Sequence, residues 1–202
     1  MLSPTSLDRS LPLKRHLKQG RYGTVSADGP GVRLSVRHPL AIATIIARKG
    51  QEDKMSALLE THYGIAAPQP GRMVKGKELV LQWCGADQYF AITEGRGEGA
   101  LYEDLRSCLQ GSASVSDQSH GRVVIEVSGH KARALLTKGS AVDFHPREFP
   151  LEAAAMTQMA HIGVHVTRTA EDSFELSLFR GFSEHFWEWL TEQAQEFGYE
   201  VV

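Results

Sequence analysis

The order of strand and helix signals constrains this chain more than any single motif, because much the same order occurs twice. Val32, Leu34 and Val36 alternate with Arg33, Ser35 and Arg37, the period of two that marks a strand, and a second strand is expected over Ile42 to Arg48. From Glu52 to Tyr63 the apolar positions Met55, Leu58, Leu59 and then His62 or Tyr63 recur at three and four residues. Acidic residues open that stretch and Gly64 closes it, so the spacing predicts an amphipathic helix with a glycine stop. Glu78 to Trp83 and Gln88 to Thr93 read as a hairpin turning through Cys84 to Asp87. A helix between Gly99 and Gly111 then puts Leu101, Leu105, Cys108 and Leu109 on its buried face.

The succession starts again at Arg122 to Ser128, where Val123, Ile125 and Val127 alternate along a strand. A short helix follows over His130 to Thr137, then a hairpin made of His161 to Thr169 and Ser173 to Phe179. The closing helix has Ser183 as its expected N-cap, Phe182 stapled onto Trp187, and an inner stripe of Phe186, Trp189, Leu190, Gln193 and Phe197. Glu184, Glu188, Glu192 and Glu196 line its outer face and repel one another by a few tenths of a kcal/mol per pair, a repulsion that a cationic neighbour would relieve. Gly198 stops the helix and Tyr199 to Val202 forms a last short strand. The expected fold is α+β: duplicated split β-α-β units forming two antiparallel sheets with helices on their outer faces and right-handed crossovers. Residues 1–31, rich in Gly and Pro and without apolar period, read as an irregular arm. Residues 32–202 read as one domain of two halves, about 32–120 and 121–202.

Charge removes several functions. Against 24 acidic residues stand 22 basic ones, a net charge of −2, which fits neither a strongly basic nucleic-acid binder nor a polybasic membrane anchor. The distribution is uneven: residues 1–54 carry ten Lys or Arg against four acids, whereas 181–202 carry five glutamates and no Lys or Arg. The longest apolar stretch, Leu40 to Ala47, is eight residues, far below the ~20 a membrane helix needs. With no secretory leader in residues 1–20 and two cysteines too few for a disulfide framework, a soluble cytoplasmic protein is expected.

The candidate chemistry is sparse. His161 and His165 share a strand face but lie ~13 Å apart along it, too far to share one zinc. Asp143 and His145 have no third ligand nearby and suit a structural hydrogen bond. Neither Cys84 nor Cys108 has a histidine close in sequence, and no serine sits in a GxSxG elbow. Gly95, Gly97 and Gly99 lack dinucleotide-motif spacing and read as a loop between hairpin and helix. The segment Lys138 to Pro150, KGSAVDFHPREFP, is longer than the usual ~4 to 6 residue connection and is polar, aromatic and turn-rich at once, which marks it for recognition of a ligand or another subunit.

The run GRVVIEVSGHKARALLTKGSAVDFHPREFP (Gly121 to Pro150), followed by AHIGVHVTRT and FELSLFRGFSEHFWEWL, resembles the gamma subunit family of heterotetrameric sarcosine oxidase. LQWCGADQYFAI resembles the upstream hairpin of that family, and the likeness spans about residues 30–200. The resemblance implies an accessory subunit of a complex that demethylates sarcosine to glycine with tetrahydrofolate and O2, giving 5,10-methylenetetrahydrofolate and H2O2. It implies alpha, beta and delta subunits as partners, with FAD, FMN, NAD and zinc held on those other chains and none on this one. It further implies a fold similar to the folate-binding domains of glycine-cleavage aminomethyltransferase. On this reading Lys138, Asp143, His145, Arg147 and Phe149, with the basic amino-terminal segment, are the expected partner contacts. A stand-alone folate-binding protein of the same fold is the alternative. It would need buried carboxylates such as Asp143 or Glu126 poised against a pterin.

Overall fold

A computed structural model describes residues 10–24, 27 and 29–202. Among the described residues the first series of elements is β1 (Gly20–Tyr22), β2 (Val32–Arg37), β3 (Ala41–Ala47), α1 (Glu52–Tyr63), β4 (Met73–Lys75), β5 (Val80–Gly85), β6 (Gln88–Thr93), α2 (Ala100–Cys108) and β7 (Ala113–Asp117). The second series is β8 (Arg122–Ser128), α3 (Ala132–Thr137), β9 (Ala154–Met159), β10 (Ile162–Ala170), β11 (Ser173–Phe179), α4 (Ser183–Ala194) and β12 (Tyr199–Val201), with single 3-10 turns on either side of α4.

The duplication is visible in the pairing. The first series forms a five-stranded sheet in the order β4-β5-β6-β3-β7, and the second forms β9-β10-β11-β8, then β2, then β12. Each is the same permutation of its own strands, with β2 inserted between the last two in the larger sheet and β1 added outside β12. Thus β2, which precedes the first series in sequence, belongs to the sheet of the second, antiparallel to β8 and parallel to β12. The two edge strands also meet head to head. Arg72 bridges Ala153, Met73 N–H donates to Glu152 O at 2.9 Å, and Ala154 N–H donates to Gly71 O at 2.8 Å, a reciprocal pair that joins the sheets along one border.

Side-chain alternation sorts the core into layers. On β8, Val123, Ile125 and Val127 face α3 and α4 in the larger core, with Leu135, Leu136, Phe186 and Leu190. Met55, Leu59, Leu101 and Leu105 lay α1 and α2 onto the small sheet. Val124 points the other way, toward Leu40, Ile42, Phe90 and Ile92, so a thin apolar layer lies between the sheets. The order is helix, sheet, sheet, helix.

Several local expectations change. Phe182 does not staple onto Trp187: it is 54% exposed, while Trp187 is buried in the core. Ser183 is the first residue of α4 rather than its cap, and its hydroxyl donates back to Arg180 O at 2.8 Å. Cys108 is half-buried, with Leu109 taking the fully buried position beside it. Along the acidic face that α4 begins, Lys138 meets Glu196 of the following 3-10 turn at 2.9 Å, and His16 Nε2 lies 3.6 Å from Glu184, so a cation of the chain itself, Lys138, relieves part of the repulsion. In the amino-terminal arm, β1 pairs with β12, and Tyr22 stacks on Tyr199 with ring centroids 5.2 Å apart.

Candidate functional site

The segment Lys138 to Pro150 is fastened from below. Gly139 lies so close to Trp189 on α4 that a methyl group there would sit 2.3 Å from the indole, which is why the chain has glycine at this position. Lys138 Nζ donates to Gln193 O at 2.8 Å and lies 4.6 Å from the centroid of the Phe197 ring, tying the start of the loop to the end of α4. Ser140 Oγ shares a 3.0 Å hydrogen bond with Thr157 Oγ1 on β9 and accepts from Val142 N–H at 3.1 Å. Phe144 and Phe149 turn inward and pack edge to face, 5.4 Å between centroids, with Phe174 completing a three-ring cluster. Such pairs add about 0.5–1.5 kcal/mol beyond the area they bury. Arg168 Nη1 then donates to Phe149 O at 3.0 Å and fixes the far end.

This arrangement divides the expected contact residues. Phe149 is buried and Lys138 is held against α4, so these two shape the loop. Asp143, His145 and Arg147 are exposed. Asp143 Oδ1 accepts from His145 N–H at 2.8 Å, and His145 Nδ1 accepts from Arg147 N–H at 3.3 Å, so side chains cap the turn and their free ends point to solvent. Leu151, just beyond, is 50% exposed. Together they present a firm, mixed polar and apolar surface at the edge of the larger sheet.

The other candidates take structural roles. His161 sits in the tight β9–β10 turn with φ 63°, whereas His165 is buried between the sheets, so they form no common site. His165 Nε2–H donates to Trp83 O at 2.9 Å, and its ring meets Phe90 edge to face at 5.2 Å. Burial pushes its pKa down to about 4, and the nearby Arg122 cation acts in the same direction. Cys84 is pushed up to about 11 by burial, and Cys108 is raised for the same reason, so neither thiol is activated. Among the described residues no group of three or more His, Cys, Asp or Glu is placed to hold a metal ion. Gly95 and Gly99 lie in the loop from β6 to α2, both with φ near +70°, as a connecting loop requires.

The carboxylates matter for the folate alternative. Asp143 lies on the surface loop and Glu126 on the inter-sheet side of β8, so they do not share a cleft. Glu175, nearly buried beside Glu126, is engaged by Arg37, which also holds Glu94. An open cleft of about 480 Å³ begins there, lined by Arg37, Lys77, Glu78, Glu94 and Arg96. Its acidic groups are paired within the chain: Glu94 is held by Arg37, and Glu78 meets Arg96 at 3.4 Å, which also meets Asp104 at 2.6 Å. A pterin needs unpaired acceptors in a dry pocket, and this cleft offers neither. The Arg37 ion-pair cluster and the role of His165 had no signal in the sequence, since both depend on strands brought together across the two sheets.

A duplicated two-sheet scaffold with an exposed, internally braced loop defines the chain as a relative of the aminomethyltransferase fold. Glycine cleavage system aminomethyltransferase T from Bartonella henselae aligns over 91% of this chain and 56% of its own with a TM-score of 0.66 and 14% identity, a likeness of fold alone. The chain belongs to the sarcosine oxidase, gamma subunit family, whose model matches residues 49–196. Sarcosine oxidase subunit gamma from Arthrobacter sp is 32% identical over 207 residues, covering 100% of this chain and 97% of that one. Its counterpart from Corynebacterium sp. (strain P-1) is 35% identical over 150 residues, 72% of each chain. A chain in the structure of heterotetrameric sarcosine oxidase from Corynebacterium sp. U-96 in complex with pyrrole 2-carboxylate superposes with a TM-score of 0.73 at 29% identity, covering 82% of this chain and 85% of that one.

Proposed function

We propose that this chain is a non-catalytic accessory subunit of a cytoplasmic heterotetrameric oxidase, docked on alpha, beta and delta partners, and that it stabilises or orients the part of the complex that handles folate. The complex converts sarcosine, O2 and tetrahydrofolate to glycine, H2O2 and 5,10-methylenetetrahydrofolate. Its flavins, NAD and zinc reside on the other subunits. No helix among the described residues is long and apolar enough to cross a membrane. The observation that carries the reading is the loop itself: Phe144 and Phe149 anchor it, and Asp143, His145 and Arg147 face outward in a fixed arrangement. A preorganised loop loses little entropy on binding, which suits a permanent contact. Lys14, Arg15 and Lys18 of the arm, all exposed, form a second contact surface.

Two measurements test this. Replacing Asp143, His145 and Arg147 together by alanine leaves the isolated chain folded and weakens its incorporation with the three partner subunits. Unchanged incorporation rejects the loop as a contact. Titration of the isolated chain with tetrahydrofolate by calorimetry gives a flat trace at concentrations able to detect ~100 μM affinity, about −5.5 kcal/mol. Saturable one-to-one heat would replace the accessory reading with the folate-binding one.

A further inference from the structure

Between the end of β6 and the start of α2 the chain runs Glu94, Gly95, Arg96, Gly97, Glu98, Gly99, charge and glycine in alternation with no apolar side chain. Such a segment has nothing to bury, so polar contacts must hold it in place. Each of its charged side chains is fastened to a different part of the fold. Glu94 pairs with Arg37 on β2, which Glu175 of β11 also holds. Arg96 reaches Asp104 on α2 at 2.6 Å and Glu78, just before β5, at 3.4 Å. Glu98 accepts from His120 Nε2–H, between β7 and β8, at 2.6 Å. The backbone contacts are local: Thr93 Oγ1 donates to Glu94 O at 3.3 Å, and Ala100 N–H to Gly97 O at 3.2 Å.

Gly97 has no positive φ, and a methyl group there would meet nothing within 4 Å. Glycine at this position is therefore required neither by φ nor by packing, and its effect is to leave more backbone conformations open. Residues 94–96 form one wall of the cleft of about 480 Å³, and residues 76–80 form the other. At its floor Ile92 and Thr93 are only 3% and 8% exposed, although the cleft is open. The carboxylates that hold the wall lie at the surface, Glu94 67% and Glu78 72% exposed. Ion pairs so exposed are weak and are screened by salt.

We propose that residues 94–99 are a charge-latched flap of the cleft. Latched, Glu94 and Arg96 hold the wall against β2, α2 and the turn before β5 and shield the floor. When competing charge or salt loosens these pairs, the segment moves away on its glycines and uncovers Thr93, and it closes again as the pairs re-form. The device goes beyond the accessory-subunit reading and does not depend on it or on the Lys138 to Pro150 loop.

The test follows thiol modification by iodoacetamide, an uncharged reagent, in the full-length chain carrying Thr93→Cys, with and without Arg96→Gln, each variant first checked by circular dichroism. Peptide mass spectrometry reads position 93 and Cys84 separately, and Cys84, which packs between the sheets, is the internal reference. Raising NaCl from ~10 mM to ~1 M shortens the Debye length from about 30 Å to about 3 Å. That change is expected to speed modification at position 93 about fivefold relative to Cys84, the effect of losing one exposed ion pair. Arg96→Gln is expected to give a similar increase already at the low salt concentration. An unchanged rate in either comparison overturns the proposal. A rise at position 93 matched by an equal rise at Cys84 shows general loosening of the chain and overturns it as well. The salt comparison leaves Arg96 in place, so it stays decisive if Arg96→Gln does not fold.

Discussion

Replacing His165 by glutamine tests how the two sheets are held together. The imidazole joins β10 of the larger sheet to β5 of the smaller through Trp83 O, and it is 1% exposed. Its pKa is about 4 in the folded chain against 6.5 for an ordinary histidine. The sign follows directly: as pH falls below 6.5 the unfolded chain takes up a proton that the folded chain refuses, so stability is lost from pH 6.5 downward until the folded group titrates near 4. Linkage gives a loss of about 2 kcal/mol between pH 7 and pH 5 and about 3 kcal/mol in all. Glutamine can still donate to Trp83 O but does not titrate. The variant is therefore less stable than wild type at pH 7, through poorer packing against Phe90, yet lacks this share of the acid sensitivity. Urea unfolding followed by tryptophan fluorescence at pH 7, 6 and 5 measures both curves, and the difference between them cancels the exposed histidines. Parallel pH dependences for the two proteins would refute the buried neutral imidazole.

Three further outcomes follow from packing and burial. Phe144→Ala removes the centre of the three-ring cluster and lowers stability by about 3–5 kcal/mol, read by thermal or urea unfolding; it also loosens the Lys138 to Pro150 loop, read as faster amide exchange there. Gly129→Ala is strongly destabilising, because φ is +112° and the added methyl group would lie 2.5 Å from Gly31 O; a melting temperature equal to wild type would refute that close approach. Cys84, with its pKa near 11, is only ~0.1% thiolate at pH 8 and labels with iodoacetamide far more slowly than a free thiol, whereas labelling at the free-thiol rate would show that it is not buried.

The parts of the fold that sequence made legible are those whose pattern is local. Gln88–Thr93, Arg122–Ser128 and Ser173–Phe179 have the bounds expected from alternation, and α1 runs over Glu52–Tyr63 as its apolar spacing requires. The strands that escaped notice are edges. β1 and β4 have three residues each, β7 is Ala-Ser-Val-Ser-Asp, and β9 is built of alanine, methionine, threonine and glutamine, with little β-branched signal. They exist because a neighbouring strand offers hydrogen bonds, which no local pattern reports. The same holds for β2, whose alternation marks a strand but not its place between β8 and β12. In the candidate site, the length and composition of the loop pointed to recognition. Nothing in KGSAVDFHPREFP distinguishes Phe149, which turns in, from Arg147, which turns out, because that choice is made by Phe174 and Arg168 on other strands. The contact of the Arg122 guanidinium with the Phe90 ring, 4.2 Å to the centroid, likewise exists only because Phe90 comes from the other sheet.

The central claim is that this chain serves assembly and not chemistry. Its most direct test is to reconstitute the oxidase from the three partner subunits with and without this chain, measuring the mass of the complex and its production of H2O2 from sarcosine. With the chain present, a four-subunit complex that turns over is expected, and without it the remaining subunits assemble incompletely or lose tetrahydrofolate-dependent turnover. Normal assembly and normal turnover in its absence would contradict the account.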